Sequence, residues 1–118
     1  MNELLYVTSS PHTAEQISGL FVPDLLNPSF TQITQAIESK ARAAGWSFVL
    51  CTTGDDPTME REHAQQLFTR QITTMVFVSS AAANTAEHLP HYKALLDSGA
   101  RLLFINGAPS RLQTAAEI

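Results

Sequence analysis

Cysteine is nearly missing from this sequence. Cys51 stands alone among 118 residues, so no disulfide can form within the chain. Glycine is scarce as well, with 5 residues, and neither G-x-G-x-x-G nor a Walker pattern occurs, which leaves no glycine-rich cradle for a nucleotide phosphate. Positive charge is in deficit: 7 Lys and Arg stand against 11 Asp and Glu, a formal net charge of −4. Binding to a phosphate backbone needs the opposite balance, so this stretch of chain is not expected to hold nucleic acid by itself. No apolar run approaches the length that spans a bilayer, and no membrane partner is expected. The first residues carry neither a basic start nor a long apolar core, so no secretion signal is read, and a reducing cytoplasm is the expected location.

What is present suits one folded domain. The hydrophobic fraction is 44% and the charged fraction 15%, as in globular proteins, and a chain of this length can bury a core without staples. Residues 1–16 show no sustained period and read as a tail or linker. The pattern then becomes regular. Ile17 to Val22 is a short apolar run ending at Pro23, which fits a buried strand. Asn27 suits a helix N-cap and Pro28 the first helical position, and Phe30, Ile33, Ala36, Ile37 and Ala41 recur on one helical face before Gly45. The same unit repeats in outline. Trp46 to Cys51 is a second strand, and Asp56-Pro57 opens a helix whose face carries Met59, Ala64, Leu67 and Phe68. Met75 to Val78 is a third strand, Leu89, Tyr92, Leu95 and Leu96 mark a third helix ending at Gly99, and Arg101 to Ile105 is a fourth strand.

Strands alternating with amphipathic helices imply parallel pairing through right-handed crossovers. The expected fold is α/β, a doubly wound parallel sheet in the order 2-1-3-4 within a three-layer αβα arrangement, spanning residues 17–110, with residues 111–118 as a C-terminal tail or the start of a further lobe.

The segment Val22-Pro23-Asp24-Leu25-Leu26-Asn27-Pro28-Ser29-Phe30 resembles the opening of the effector domains of LacI-family transcriptional regulators and of sugar-binding periplasmic proteins. The resemblance continues in register through Gly45 to Cys51, Asp55-Asp56-Pro57, Val78-Ser79-Ser80 and Leu95-Leu96-Asp97-Ser98-Gly99 into the fourth strand. It implies the N-terminal lobe of a periplasmic-binding-protein-like domain that senses a small polar effector, such as a sugar or nucleoside-like metabolite. It also implies a homodimer through the helices of residues 28–44 and 57–70, and DNA contact only through a helix-turn-helix head, which these residues do not contain. Three positions depart from the family pattern. Ser29 stands where a second aromatic is common, Thr73-Thr74 replaces Asp-Gly, and Asn106-Gly107 replaces a pair that ends in arginine.

In an open α/β sheet the ligand lies beyond the carboxyl ends of the strands. The residues expected there are Asp24, Asn27 and Phe30 after the first strand, Thr53 and Asp55 after the second, Ser79 and Ser80 after the third, and Asn106 after the fourth. Amides, hydroxyls and carboxylates can bind ligand hydroxyls, and an aromatic face can cover an apolar ring face. Several also have a purely structural reading: Phe30 shares the face of Ile33 and Ile37, Asn27 is a cap, and the two serines can end a strand, whereas Asp24 and Asn106 are the least explained structurally.

Other chemistry finds little support. His88 and His91 have helical zinc-ligand spacing but no third ligand, with Pro90 between them, so a solvent-facing pair is expected. Cys51 ends an apolar strand and reads as a buried, inert thiol. Asp55-Asp56 could suggest an acidic metal pocket, but Pro57 favours a helix start. No catalytic constellation, metal or cofactor site is expected. The competing readings are a solute-binding protein serving a sugar transporter and a small flavodoxin- or receiver-like enzyme.

Overall fold

The computed structural model describes residues 4–7, 16–80, 87–105 and 116–117. The strands are β1 (Leu4–Val7), β2 (Ile17–Val22), β3 (Ser47–Thr52), β4 (Thr74–Val78), β5 (Arg101–Ile105) and β6 (Ala116–Glu117). The helices are α1 (Pro28–Ala43), α2 (Pro57–Thr69) and α3 (Leu89–Asp97). They form one sheet in the order β1-β3-β2-β4-β5-β6. The four central strands are parallel and follow the expected 2-1-3-4 order.

Two short strands extend that core. Inside the stretch expected as a tail, Leu4–Val7 runs antiparallel to β3, with Leu4 opposite Cys51 and Val7 opposite Phe48. At the other edge Ala116–Glu117 runs parallel to β5. An apolar run of only four residues has too few positions to show a period, so β1 left no signature that separates it from a linker.

Both faces of the sheet are covered, and so the central strands are almost continuously buried. Their side chains still alternate. Leu20 and Val22, Phe48 and Leu50, Val76 and Val78 share one face, where Phe30, Ile33, Ile37 and Ala41 of α1 pack. Phe21, Val49, Cys51, Met75, Phe77, Leu102 and Phe104 share the other, under Ala64 and Leu67 of α2 and Tyr92 and Leu95 of α3. Among the described residues a single helix covers the first face and two cover the second.

Register builds the centre of the larger core. Phe21, Phe77 and Phe104 lie opposite one another on β2, β4 and β5. Their rings stack in a row, with centroids 4.5 Å apart for Phe21 and Phe77 and 4.9 Å for Phe77 and Phe104. Tyr92 meets Phe77 edge-on at 5.5 Å. Each such pair adds about 0.5–1.5 kcal/mol beyond the area it buries. Gly19 makes room for α2, because a Cβ there would lie 2.5 Å from Leu67 Cδ1 and 2.9 Å from Phe21 Cε1.

The helix ends follow the expected signals. Asn27 Oδ1 accepts the Ser29 N–H at 2.9 Å, and Asp56 Oδ1 accepts the Thr58 N–H at 2.9 Å, each just before a proline at the first helical position. Helix α3 begins less firmly: His88 precedes it with no side-chain cap bond.

Candidate functional site

The parallel register sets the carboxyl ends of β3, β2, β4 and β5 along one edge, about 4.8 Å from neighbour to neighbour. Thr53 and Asp55 leave β3 there, Asp24 leaves β2, and Ser79 and Ser80 leave β4. Asn106, expected after β5, lies outside the described residues.

Several of these side chains also hold the loops in shape. Asp24 had no evident structural task in the sequence, yet its Oδ1 accepts the backbone N–H groups of Leu26 and Asn27, both at 2.9 Å. That carboxylate folds the turn which delivers the chain to α1. Asn27 is exposed and caps α1. Thr53 is 1% exposed, and its N–H reaches the Val22 carbonyl at 2.9 Å, tying the β3 exit to the β2 exit. Phe30 is half-buried against the α1 face of the sheet. Its ring belongs to the core at least in part.

Asp55, Ser79 and Ser80 are the least committed to packing. Asp55 is exposed with φ of 60°, and Ser79 is half-buried with φ of 53°. Non-glycine residues seldom hold a left-handed backbone, and when they do the surrounding structure has to fix it. Here the Ser79 N–H donates to the Ile105 carbonyl at 2.9 Å, locking the β4 exit to the neighbouring strand. Two of the three left-handed non-glycine residues among those described therefore lie on the carboxyl edge, and the third, Gln71, ends α2 at the opposite edge.

Ser80 leads to a residue that the sequence did not single out. Its Oγ donates to Glu60 Oε1 at 2.7 Å, and Tyr92 Oη donates to the same oxygen at 2.6 Å. Glu60 lies on the first turns of α2 and is 1% exposed. A buried carboxyl is tolerable where it is hydrogen-bonded, and two hydroxyls supply that here. Burial and the adjacent Glu60 push the Tyr92 phenol well above its usual range, so it stays a donor. A charged residue on a helix usually faces water, which is why spacing alone gave no sign of this cluster.

The histidines are less exposed than expected. His63 of α2 is fully buried, and its ring nitrogens find no hydrogen-bond partner among the described residues. His88 is 3% exposed and His91 half-buried, so they are not the solvent-facing pair of the sequence reading. Burial lowers the pKa of His63 and of His91; for His91, Arg61 and His88 lower it further. Among the described residues no group of three or more His, Cys, Asp or Glu could hold a metal ion. Burial pushes the Cys51 thiol up to about 12, and at neutral pH it carries no thiolate nucleophile. No described helix is long and apolar enough to cross a membrane.

Known proteins share this arrangement. The family described as "Periplasmic binding proteins and sugar binding domain of LacI family" matches residues 15–102. The fructose operon regulatory protein of Vibrio cholerae is 32% identical over 90 residues, 76% of this chain and 26% of that protein. Among solved structures, the Cra transcriptional dual regulator of Pseudomonas putida in complex with fructose 1-phosphate aligns with a TM-score of 0.68 at 27% identity, covering 78% of this chain and 33% of that one. A LacI family transcriptional regulator from Lactobacillus casei with bound glucose has the same fold, with a TM-score of 0.70 at 24% identity over 86% of this chain and 36% of its own. This chain spans about a quarter of the length of the curated relatives it matches. With the family's pattern running over residues 15–102 and its fold matched over 78% of the chain, the chain belongs to the family of periplasmic binding proteins and LacI-type sugar-binding domains.

Proposed function

We propose that this chain is the ligand-sensing lobe of a LacI-type transcriptional regulator, non-enzymatic and cytoplasmic. It binds a small polar metabolite, a sugar or nucleoside-like molecule, at the carboxyl edge of its sheet. The observation that supports this reading is that Asp24, Thr53, Asp55, Ser79 and Ser80 follow the carboxyl ends of neighbouring parallel strands, two of them with left-handed backbone, while Asn27 and Phe30 come just after Asp24 at the start of α1. Asn106 would complete the rim after β5. The relatives are named as transcriptional regulators, which favours a regulator over a transporter's binding protein.

Ligand binding acts by favouring one of two arrangements of a two-lobed dimer, and DNA contact belongs to a helix-turn-helix outside these 118 residues. The dimer forms through α1 and α2. Their larger apolar side chains pack on the sheet, so the pairing surface is made of small and polar outward residues such as Ala36, Ala43, Gln65 and Thr69.

Calorimetry with D-glucose and D-fructose 1-phosphate tests the two-lobed reading. One wall of a cleft leaves most of a ligand in water, so this chain alone is expected to bind no tighter than about 1 mM, roughly −4 kcal/mol. Micromolar binding would show that a single lobe suffices.

A further inference from the structure

We propose that Glu60 and Tyr92 are positioning residues that turn Ser80 into a hydrogen-bond acceptor, so that the ligand group facing Ser80 must be a donor, a hydroxyl or an amine. This rests on the proposal that the carboxyl edge binds the ligand, and it specifies what one point of that edge selects.

A serine hydroxyl has one proton and two lone pairs. Ser80 gives its proton to Glu60 Oε1 at 2.7 Å. The same oxygen accepts a hydrogen bond from the Tyr92 phenol at 2.6 Å, so both donors converge on one buried point. Tyr92 is fully buried among the rings of the larger core and cannot swing away. The Glu60 carboxyl is held by its burial and by the Tyr92 bond, on a backbone whose N–H closes the first turn of α2 onto the Asp56 carbonyl at 3.0 Å. The backbone beside Ser80 is pinned too, by the bond from the Ser79 N–H to Ile105. With its O–H committed to Glu60 and the preceding residue bonded to Ile105, the half-buried Ser80 hydroxyl presents only lone pairs to whatever approaches the edge.

Acceptors behave differently there. A phosphate or carboxylate oxygen at Ser80 would meet lone pairs, with the Glu60 carboxyl just behind. It could bind only by turning the Ser80 O–H away from Glu60, leaving that buried oxygen with one donor fewer. A sugar hydroxyl meets no such penalty. If a ligand carries a phosphate, that group must lie elsewhere along the edge.

The test uses NMR titration of the isotope-labelled chain with D-glucose, D-fructose and their monodeoxyfluoro analogues, read at the Ser79 and Ser80 amides. Fluorine keeps the bulk of a hydroxyl but cannot donate. In the unaltered chain, fluorination at one ring position is expected to weaken binding about tenfold, with smaller effects elsewhere. The paired change Glu60→Leu with Tyr92→Phe removes the acceptor and the phenol donor together, so no buried phenol is left unpaired. It frees the Ser80 proton and should compress the ratio to within about threefold. Ser80→Ala, which disturbs no core residue, should compress it as well. An undiminished ratio in the paired variant, or in Ser80→Ala if the paired variant does not fold, would overturn the assignment. Equal tolerance of fluorine at every position in the unaltered chain would also overturn it. Sugar binding that leaves Ser79 and Ser80 unmoved would instead refute the ligand edge itself, and this inference with it.

Discussion

Tyr92 Oη donates to Glu60 Oε1 at 2.6 Å, joining α3 to α2 through two side chains that are almost completely removed from water. Deleting either group alone costs the other a buried hydrogen bond. Tyr92→Phe is expected to lower stability by about 1–3 kcal/mol, since it leaves a buried carboxyl oxygen one donor short. Glu60→Leu should cost at least as much. Combined, the two changes should cost clearly less than their sum, because they remove one interaction once. Urea denaturation of the four proteins measures this, and strictly additive losses would contradict the coupling.

Gly19 and Leu67 form a second dependent pair. A methyl group on Gly19 would lie 2.5 Å from Leu67 Cδ1, inside a core that has no slack. Gly19→Ala should therefore destabilise by about 1–3 kcal/mol. Leu67→Ala alone should cost about 2–5 kcal/mol by opening a cavity. In the double variant the new methyl occupies part of the vacated space, so thermal melts should show a smaller loss than the two single losses added together.

Stability should fall in mild acid. Burial lowers the pKa of His63 in the folded chain, against some raising by Glu62, and burial with Arg61 and His88 lowers that of His91. The unfolded chain takes up protons at these rings near the ordinary histidine value of about 6.5. Below that pH the unfolded state binds more protons than the folded one, so the free energy of unfolding drops as pH falls, and it levels off above it. Midpoints of denaturation at pH 7.5 and 5.5, both about one unit from that value, should differ in this direction. His63→Phe should shrink the difference, and an unchanged difference would place the effect elsewhere.

Self-association provides a separate check on the proposed dimer. Ile33, Ile37 and Ala41 of α1, and Ala64 and Leu67 of α2, pack on the sheet, so pairing must rely on the outward small and polar residues. Sedimentation equilibrium over a concentration series should show a dimer that weakens when Ala36 and Ala43 are changed to Glu. A chain that stays monomeric at every concentration would remove the claim. A dimer indifferent to those changes would move the interface.

Most of the fold was legible in the sequence because its signals are local. The buried runs at residues 17–22 and 101–105, the cap-and-proline starts at Asn27-Pro28 and Asp56-Pro57, and the glycine stop at Gly45 each state their element within a few residues. What stayed hidden depends on partners distant in the chain. The role of Gly19 depends on Leu67, far away in the chain and packed above it. Glu60 gave no local signal because its partners are 20 and 32 positions away. The edge strand β1 takes its stability from β3, not from its own four residues. At the candidate site the serines were placed by the family pattern, whereas the turn built by Asp24 emerged only from its bonds to Leu26 and Asn27.

The central claim is that a sugar is sensed on the carboxyl edge of this sheet, and NMR mapping of the isotope-labelled chain during titration with D-fructose 1-phosphate tests it most directly. The account predicts saturable shifts at Thr53, Gly54, Asp55, Ser79 and Ser80, where β3 and β4 end, and almost none at Gly45, Gln71 and Gly99, where the helices end on the opposite edge. Shifts centred on Gly45, Gln71 and Gly99, or none at any concentration up to about a hundred times the expected millimolar constant, would contradict it.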